Sequence, residues 1–170
     1  MKKLNNKGYL TVEIVVASVI AFAMAFFLMD ITVKIVNDTE EAYVDTILTT
    51  DKALIMKNIK ENIENDIKNY GRISNLVEVE TIEKERGKSR KWKINFSSGD
   101  DPAVLLVSPD EVNYTRVDGT IYKKNLNSKL INIDSTFKMS SDSDYVLFKI
   151  EGENIFSDKD YNINIFIYNG

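Results

Sequence analysis

Gly8 and Gly71 bracket a stretch that contains neither Gly nor Pro. In a helix interior these residue types cost about 1 and about 3 kcal/mol relative to Ala, so a chain that avoids both can stay helical without interruption. The apolar spacing agrees. After Asp30, the residues Val36, Tyr43, Ile47 and Leu54 recur at intervals of 7, 4 and 7, and Ile55, Ile59, Ile63, Ile67 and Tyr70 at 4, 4, 4 and 3. Together they form one amphipathic helical stripe. Gly71 is its natural stop, being the residue type that best takes the left-handed position after a helix. A helix from Tyr9 to Tyr70 measures about 93 Å at 1.5 Å per residue, the length of a spine and not of a packed globular element.

The first part of that spine is apolar on every side. Tyr9 to Met29 is 21 residues, about 31 Å as a helix and enough to cross the roughly 30 Å hydrocarbon layer of a bilayer. Lys2, Lys3 and Lys7 precede it with no acid among them. Three cations on that side keep the N-terminus cytoplasmic and send the rest of the chain across. A secretory signal peptide is the competing reading, because Ala21-Phe22-Ala23 and Ala23-Met24-Ala25 fit a small-x-small cleavage site. Both sites fall inside the apolar run instead of after it, which argues against cleavage there. Glu13 stands at the start of the run. An unpaired carboxylate in hydrocarbon costs roughly 2.5–3.5 kcal/mol on insertion scales, which makes it a functional residue in search of a partner.

Past Gly71 the apolar period shortens to two. Leu76-Val77-Val79, Trp92-Ile94-Phe96, Ala103 to Val107, Val112-Tyr114, Ile121-Tyr122, Leu130 to Phe137, Tyr145 to Ile150 and Tyr161 to Tyr168 are strand candidates separated by turn residues. Asp118-Gly119 reads as a two-residue type I′ hairpin turn, and "ERGKSR" and "FSSGDDPA" as further turns. In the last strand, Tyr161, Ile163, Ile165 and Ile167 share one apolar face, with Asn162, Asn164, Phe166 and Tyr168 on the other. The fold class is therefore α+β: a long N-terminal helical spine, its first part transmembrane, packed on an antiparallel β-sheet domain.

The chain contains no Cys and no His, so thiolate sites, disulfides and imidazole proton transfer are all excluded. No matched carboxylates stand out, and Asp134-Ser135-Thr136 reads more simply as a strand with polar outward residues, so catalysis is not expected. No cofactor and no metal is expected either. The acidic stretches "SGDDP" and "SSDSDY" offer the oxygen ligands that Ca²⁺ takes, yet neither has the spacing of a Ca²⁺ loop, and polar turns explain them. Lys84, Arg86, Lys88, Arg90, Lys91 and Lys93 surround Trp92, the composition of a single-strand nucleic-acid contact. Trp92 alternates with Ile94 and Phe96, so its ring belongs to the core and the cations to a solvated hairpin. Without Met1 to Gly8 the remaining 19 Lys and Arg stand against 26 Asp and Glu, a net of −7, which does not favour nucleic acid.

The stretch Lys7-Gly8-Tyr9-Leu10-Thr11-Val12-Glu13, a basic leader ending in Gly, an aromatic residue and Glu as the fifth residue after that Gly, resembles the type IV pilins and the pseudopilins of type II secretion and competence systems. Several expectations follow from the resemblance. Residues 1–8 are a prepilin leader, removed by prepilin peptidase between Gly8 and Tyr9; residues 9–29 form the transmembrane helix that becomes the filament core; residues 30–70 continue the spine; residues 71–170 form the globular β domain. Tyr9 becomes the N-methylated terminus, and its amine is the partner of Glu13, which sets register during assembly. The implied partners are other pilin or pseudopilin subunits through the N-terminal helix, the peptidase, a membrane assembly platform and, before assembly, the lipid bilayer. Nucleic acid would be a partner only in a competence pilus. The implied location is a single-pass cytoplasmic membrane protein with an exported C-terminal domain, then a surface or envelope-spanning filament. Two departures stand out: Tyr-Leu-Thr-Val follows Gly8 where Phe-Thr-Leu is commoner, and the apolar helix lacks the Pro of many major pilins. From "VNYTRVDGTIYKK" through "LINIDSTFKM" to "YVLFKIEGEN" the chain is similar, at the level of pattern, to J-type minor pseudopilins and their Gram-positive competence counterparts. A minor subunit is thus the first expectation. A major pilin, or an exported membrane-anchored ligand-binding domain, are the alternatives.

Overall fold

The computed structural model describes residues 6–126, 130–140, 144–155 and 160–170. One helix, α1 (Asn6–Tyr70), precedes eight strands: β1 (Ile73–Lys84), β2 (Gly87–Phe96), β3 (Ala103–Val107), β4 (Glu111–Thr115), β5 (Ile121–Asn125), β6 (Leu130–Met139), β7 (Tyr145–Asn154) and β8 (Asp160–Tyr168). The fold is α+β, as the periods require. The chain divides into two compact units, Met1–Tyr43 and Val44–Gly170, and α1 contributes to both. In the first unit the described side chains of α1 are exposed, apart from the half-buried Ile31.

The second unit holds the core. Here α1 buries Val44, Leu48, Ile55, Ile59 and Ile63 against the sheet. This seam overlaps the expected stripe only in its second half. Tyr43 is 64% exposed and Leu54 41% exposed, because the buried face turns through Val44, Leu48 and Asp51 instead. A carboxylate completes the seam, which is why apolar spacing alone picked the neighbouring face. Lys124 of β5 lies 2.7 Å from Asp51. At Tyr70 the helix stops, and the Gly71 N–H donates back to the Ile67 carbonyl at 2.8 Å.

The strands run β5-β4-β3-β2-β6-β7-β8, with β1 on β2, and every adjacent pair is antiparallel except β2–β6. That exception is a single parallel bridge, Gly87 to Ile133. A bulge makes it possible: Asn132, at φ 54°, interrupts the β6–β7 register and frees Ile133 to meet β2. A Cβ on Gly87 would lie 2.3 Å from the Ile133 carbonyl oxygen, so only Gly allows the two strands to touch. The β4–β5 turn also departs from expectation. The Arg116 N–H donates to Thr120 O at 2.8 Å and the Gly119 N–H to Arg116 O at 3.0 Å, and of the loop residues only Gly119 has positive φ, 81°. The loop is thus Val117-Asp118-Gly119, three residues, and not the two of a type I′ turn. Asp118 is drawn out of the left-handed region because its carboxylate accepts the Thr120 N–H at 2.8 Å.

Trp92 is buried, edge-on to Phe137 at 5.6 Å, and Phe137 stacks on Phe148 at 4.6 Å, which joins the inner faces of β2, β6 and β7. On β8 the alternation is as expected, with Tyr161, Ile163, Ile165 and Ile167 buried. A second carboxylate anchors α1 here. Asp66 is fully buried, accepts the Tyr114 hydroxyl at 2.8 Å and the Arg116 Nε at 2.9 Å, and burial together with this carboxylate pushes the Tyr114 phenol far above its ordinary pKa. Removing Asp66 leaves the buried Tyr114 hydroxyl without its acceptor and Arg116 with Asp118 alone, at 3.2 Å, a cost of about 1–3 kcal/mol. Asp66→Ala is therefore expected to lose about that much stability in chemical denaturation, whereas exposed Glu64→Ala should stay within about 0.5 kcal/mol of the parent. Equal losses for both would show that the buried pair does not anchor the helix.

Candidate functional site: the apolar segment of α1

Within the first unit, α1 presents an apolar surface on all sides. Phe22 is 67%, Phe26 72% and Met29 66% exposed, and the helix is long and apolar enough to cross a membrane. A helix apolar all round is stable in water only if something covers it, and large exposed apolar surfaces mark membrane or protein contacts. The Ser18 and Thr32 hydroxyls make no demand on that covering. Ser18 Oγ donates to Ile14 O at 2.7 Å and Thr32 Oγ1 to Leu28 O at 2.7 Å, so their protons are satisfied within the helix.

Glu13 is the one charged side chain between Lys7 and Asp30. It lies on α1, exposed, with Tyr9 four residues before it and Ala17 four residues after it on the same helical face. Of Gly8 and Tyr9 the backbone is described, and it is helical. The bond between them therefore sits in the first turn of α1, where helix ends fray. The basic residues before Asn6 lie outside the described residues. Where the apolar segment ends, Lys34 and Asp30 form an exposed i,i+4 pair at 3.6 Å.

The other candidates take ordinary places. Trp92 faces the core, while Lys84 and Arg86 pair with Asp110, Lys88 with Glu83 at 3.6 Å, and Arg90 with Glu78 at 3.0 Å and Asp134 at 2.6 Å. Hydrogen bonding to Asp134 raises the Arg90 pKa further above its ordinary value. Most of the cations that surround Trp92 in sequence are thus engaged by carboxylates. In the "SGDDP" stretch Asp100 and Asp101 are exposed. The central residues of "SSDSDY", 141–143, lie outside the described residues. Among the described residues no group of three His, Cys, Asp or Glu is placed to hold a metal ion.

No family model, curated protein or solved structure matches this chain.

The apolar segment yields a direct test. Membranes carrying the full chain should retain it through alkaline carbonate washing. Two carboxylates placed at the centre of the segment, Ile20→Asp with Phe22→Asp, add roughly 2.5–3.5 kcal/mol each to insertion and should release it. Retention of the double variant equal to that of the parent would show that this segment is not what holds the chain.

Proposed function

We propose that this chain is a structural subunit of a pilin-like filament, a minor pilin or pseudopilin, held in the cytoplasmic membrane by residues 9–29 until assembly. One observation carries the reading: an uncovered, all-round apolar helix bears a single carboxylate, Glu13, as the fifth residue after Gly8, and runs on as the same helix that packs against a β-sheet. A membrane covers such a surface when the subunit is stored, and the matching helices of neighbours cover it in a filament. Both surroundings are dry.

Glu13 has the same requirement in each. Cleavage after Gly8 creates an α-amine at Tyr9, four residues before Glu13 on one helical face, and in the filament the amine of a neighbouring subunit takes that place. A buried ion pair adds little net stability, yet removing one partner strands the other at about 3–5 kcal/mol, so the pair selects the axial position at which subunits lock. Catalysis has no part in this reading. The cationic leader keeps the N-terminus cytoplasmic, and the sheet domain is exported.

Glu13→Ala is expected to leave removal of residues 1–8 nearly unchanged while lowering incorporation into filaments sheared from cells. Gly8→Val should block removal of the leader, because a β-branched side chain obstructs the bond to be cut. Normal incorporation of Glu13→Ala beside the parent would show that Glu13 is not the register charge.

A further inference from the structure

We infer that the free edge of β8 receives β1 from a second copy of this chain, so that copies join head to tail through their sheets. Three strands, β1, β5 and β8, each form only one ladder among the described residues. Natural sheets protect such edges by shortness, charge, Pro or bulges. β5 has five residues and carries Lys123 and Lys124. β8 has nine, pairs with β7 without a bulge, and carries neither charge nor Pro from Tyr161 to Tyr168. Its far end is tied to β1 of the same chain, since the Asn169 amide bonds both main-chain groups of Ile73 at 2.7 and 3.1 Å. The unprotected stretch lies before that tie.

Alongside it, α1 and β8 leave an open groove of about 500 Å³, lined by Met56, Lys57 and Lys60 of the helix and by Ile165 and Phe166 of the strand. Phe166 is 63% exposed. A strand added at this edge would place alternate side chains on the helix side, over the groove, one apolar residue against Met56 and an acid within reach of the lysines. Among the described residues Lys57 and Lys60 make only exposed pairs, with Glu61 and Glu64 at 3.9 and 3.7 Å. Such pairs exchange readily.

β1 has the complementary pattern. From Glu80 to Lys84 it pairs regularly with β2 and leaves its other edge open. Ile82 is 48% exposed, and Glu80 has no ion-pair partner among the described residues, whereas Glu78 meets Arg90 and Glu83 meets Lys88. Glu80 and Ile82 are two residues apart, on one face and about 6.7 Å from each other. With Ile82 in the groove, Glu80 falls beside the pair of lysines one turn apart on α1. The unlike charges favour β1 on β8 over either edge on itself. A contact between two different surfaces does not close on itself, so copies continue in a line unless the rotation makes a ring. This rests on the filament reading and sharpens it: within the filament the subunit adjoins a second copy of itself.

The absence of Cys gives a clean background for a disulfide test in the full chain. Met56→Cys and Ile82→Cys, both at exposed positions, are expressed together in one cell and mildly oxidised. The expected product is a dimer containing one of each, and a ladder of multiples when both substitutions are in one chain. Glu80→Lys should lower the yield roughly two- to fivefold, the range of an exposed ion pair, and Lys57→Glu with Lys60→Glu should restore it. A yield no higher than that of Met56→Cys with Ile121→Cys, a distant exposed control on β5, overturns the contact, as does a dimer of Met56→Cys with itself alone. Loss of residues 1–8 without a ladder keeps the filament reading and removes this contact. A ladder from uncleaved chain keeps the contact and removes that reading.

Discussion

Apolar helix surface has to be covered, and α1 meets that demand in two ways along its length. From Val44 onward one face is covered from within the chain, by β-strands that bury Ile55, Ile59 and Ile63 completely. Between Leu10 and Met29 the surface is apolar on all sides and exposed, so its cover has to come from outside. Nothing about the sheet domain demands such a helix. It is long and apolar enough to cross a membrane, and on the filament reading proposed above it makes the lone carboxylate at Glu13 meaningful. In water that residue would be one exposed acid among many; in a dry surrounding its partner decides where the helix can rest.

The half of α1 that packs on the sheet relies on two buried carboxylates as much as on isoleucines. Asp51 reaches Lys124 of β5, and Asp66 reaches Tyr114 of β4 and Arg116 just beyond it. Both tie the helix to the same pair of strands. Apolar contacts alone would tolerate a slip of the helix by a turn, whereas a buried carboxylate has only one satisfactory place. Ion pairs of this kind specify position more than they add stability.

These anchors also mark what could be read from sequence. The long helix, its end before Gly71 and all eight strands were legible, because avoidance of Gly and Pro and a change of period from near 3.6 to 2 are local signals. The helix face was legible only from Ile55 onward. Earlier, Tyr43, Ile47 and Leu54 carry the apolar spacing while Asp51 sits in the true seam, and a hydrophobic pattern does not register a buried acid. The join between β2 and β6 was hidden for a different reason. Gly87 reads as a turn residue within "ERGKSR", and nothing nearby reveals that Ile133, 46 positions later, needs its missing side chain. In "VDGT", Asp118-Gly119 carries the signature of one turn and forms another, since the Asp118 side chain competes for the Thr120 N–H. At the candidate site the residue types were legible, but their role depends on surroundings that lie beyond a single chain.

The central claim, that the apolar helix is stored with a leader and then released for assembly, is tested most directly by the intact mass and N-terminal sequence of the chain recovered from cells. The account predicts a chain that begins at Tyr9 with a methylated amine. A chain beginning near Phe26, or an intact Met1, would contradict it.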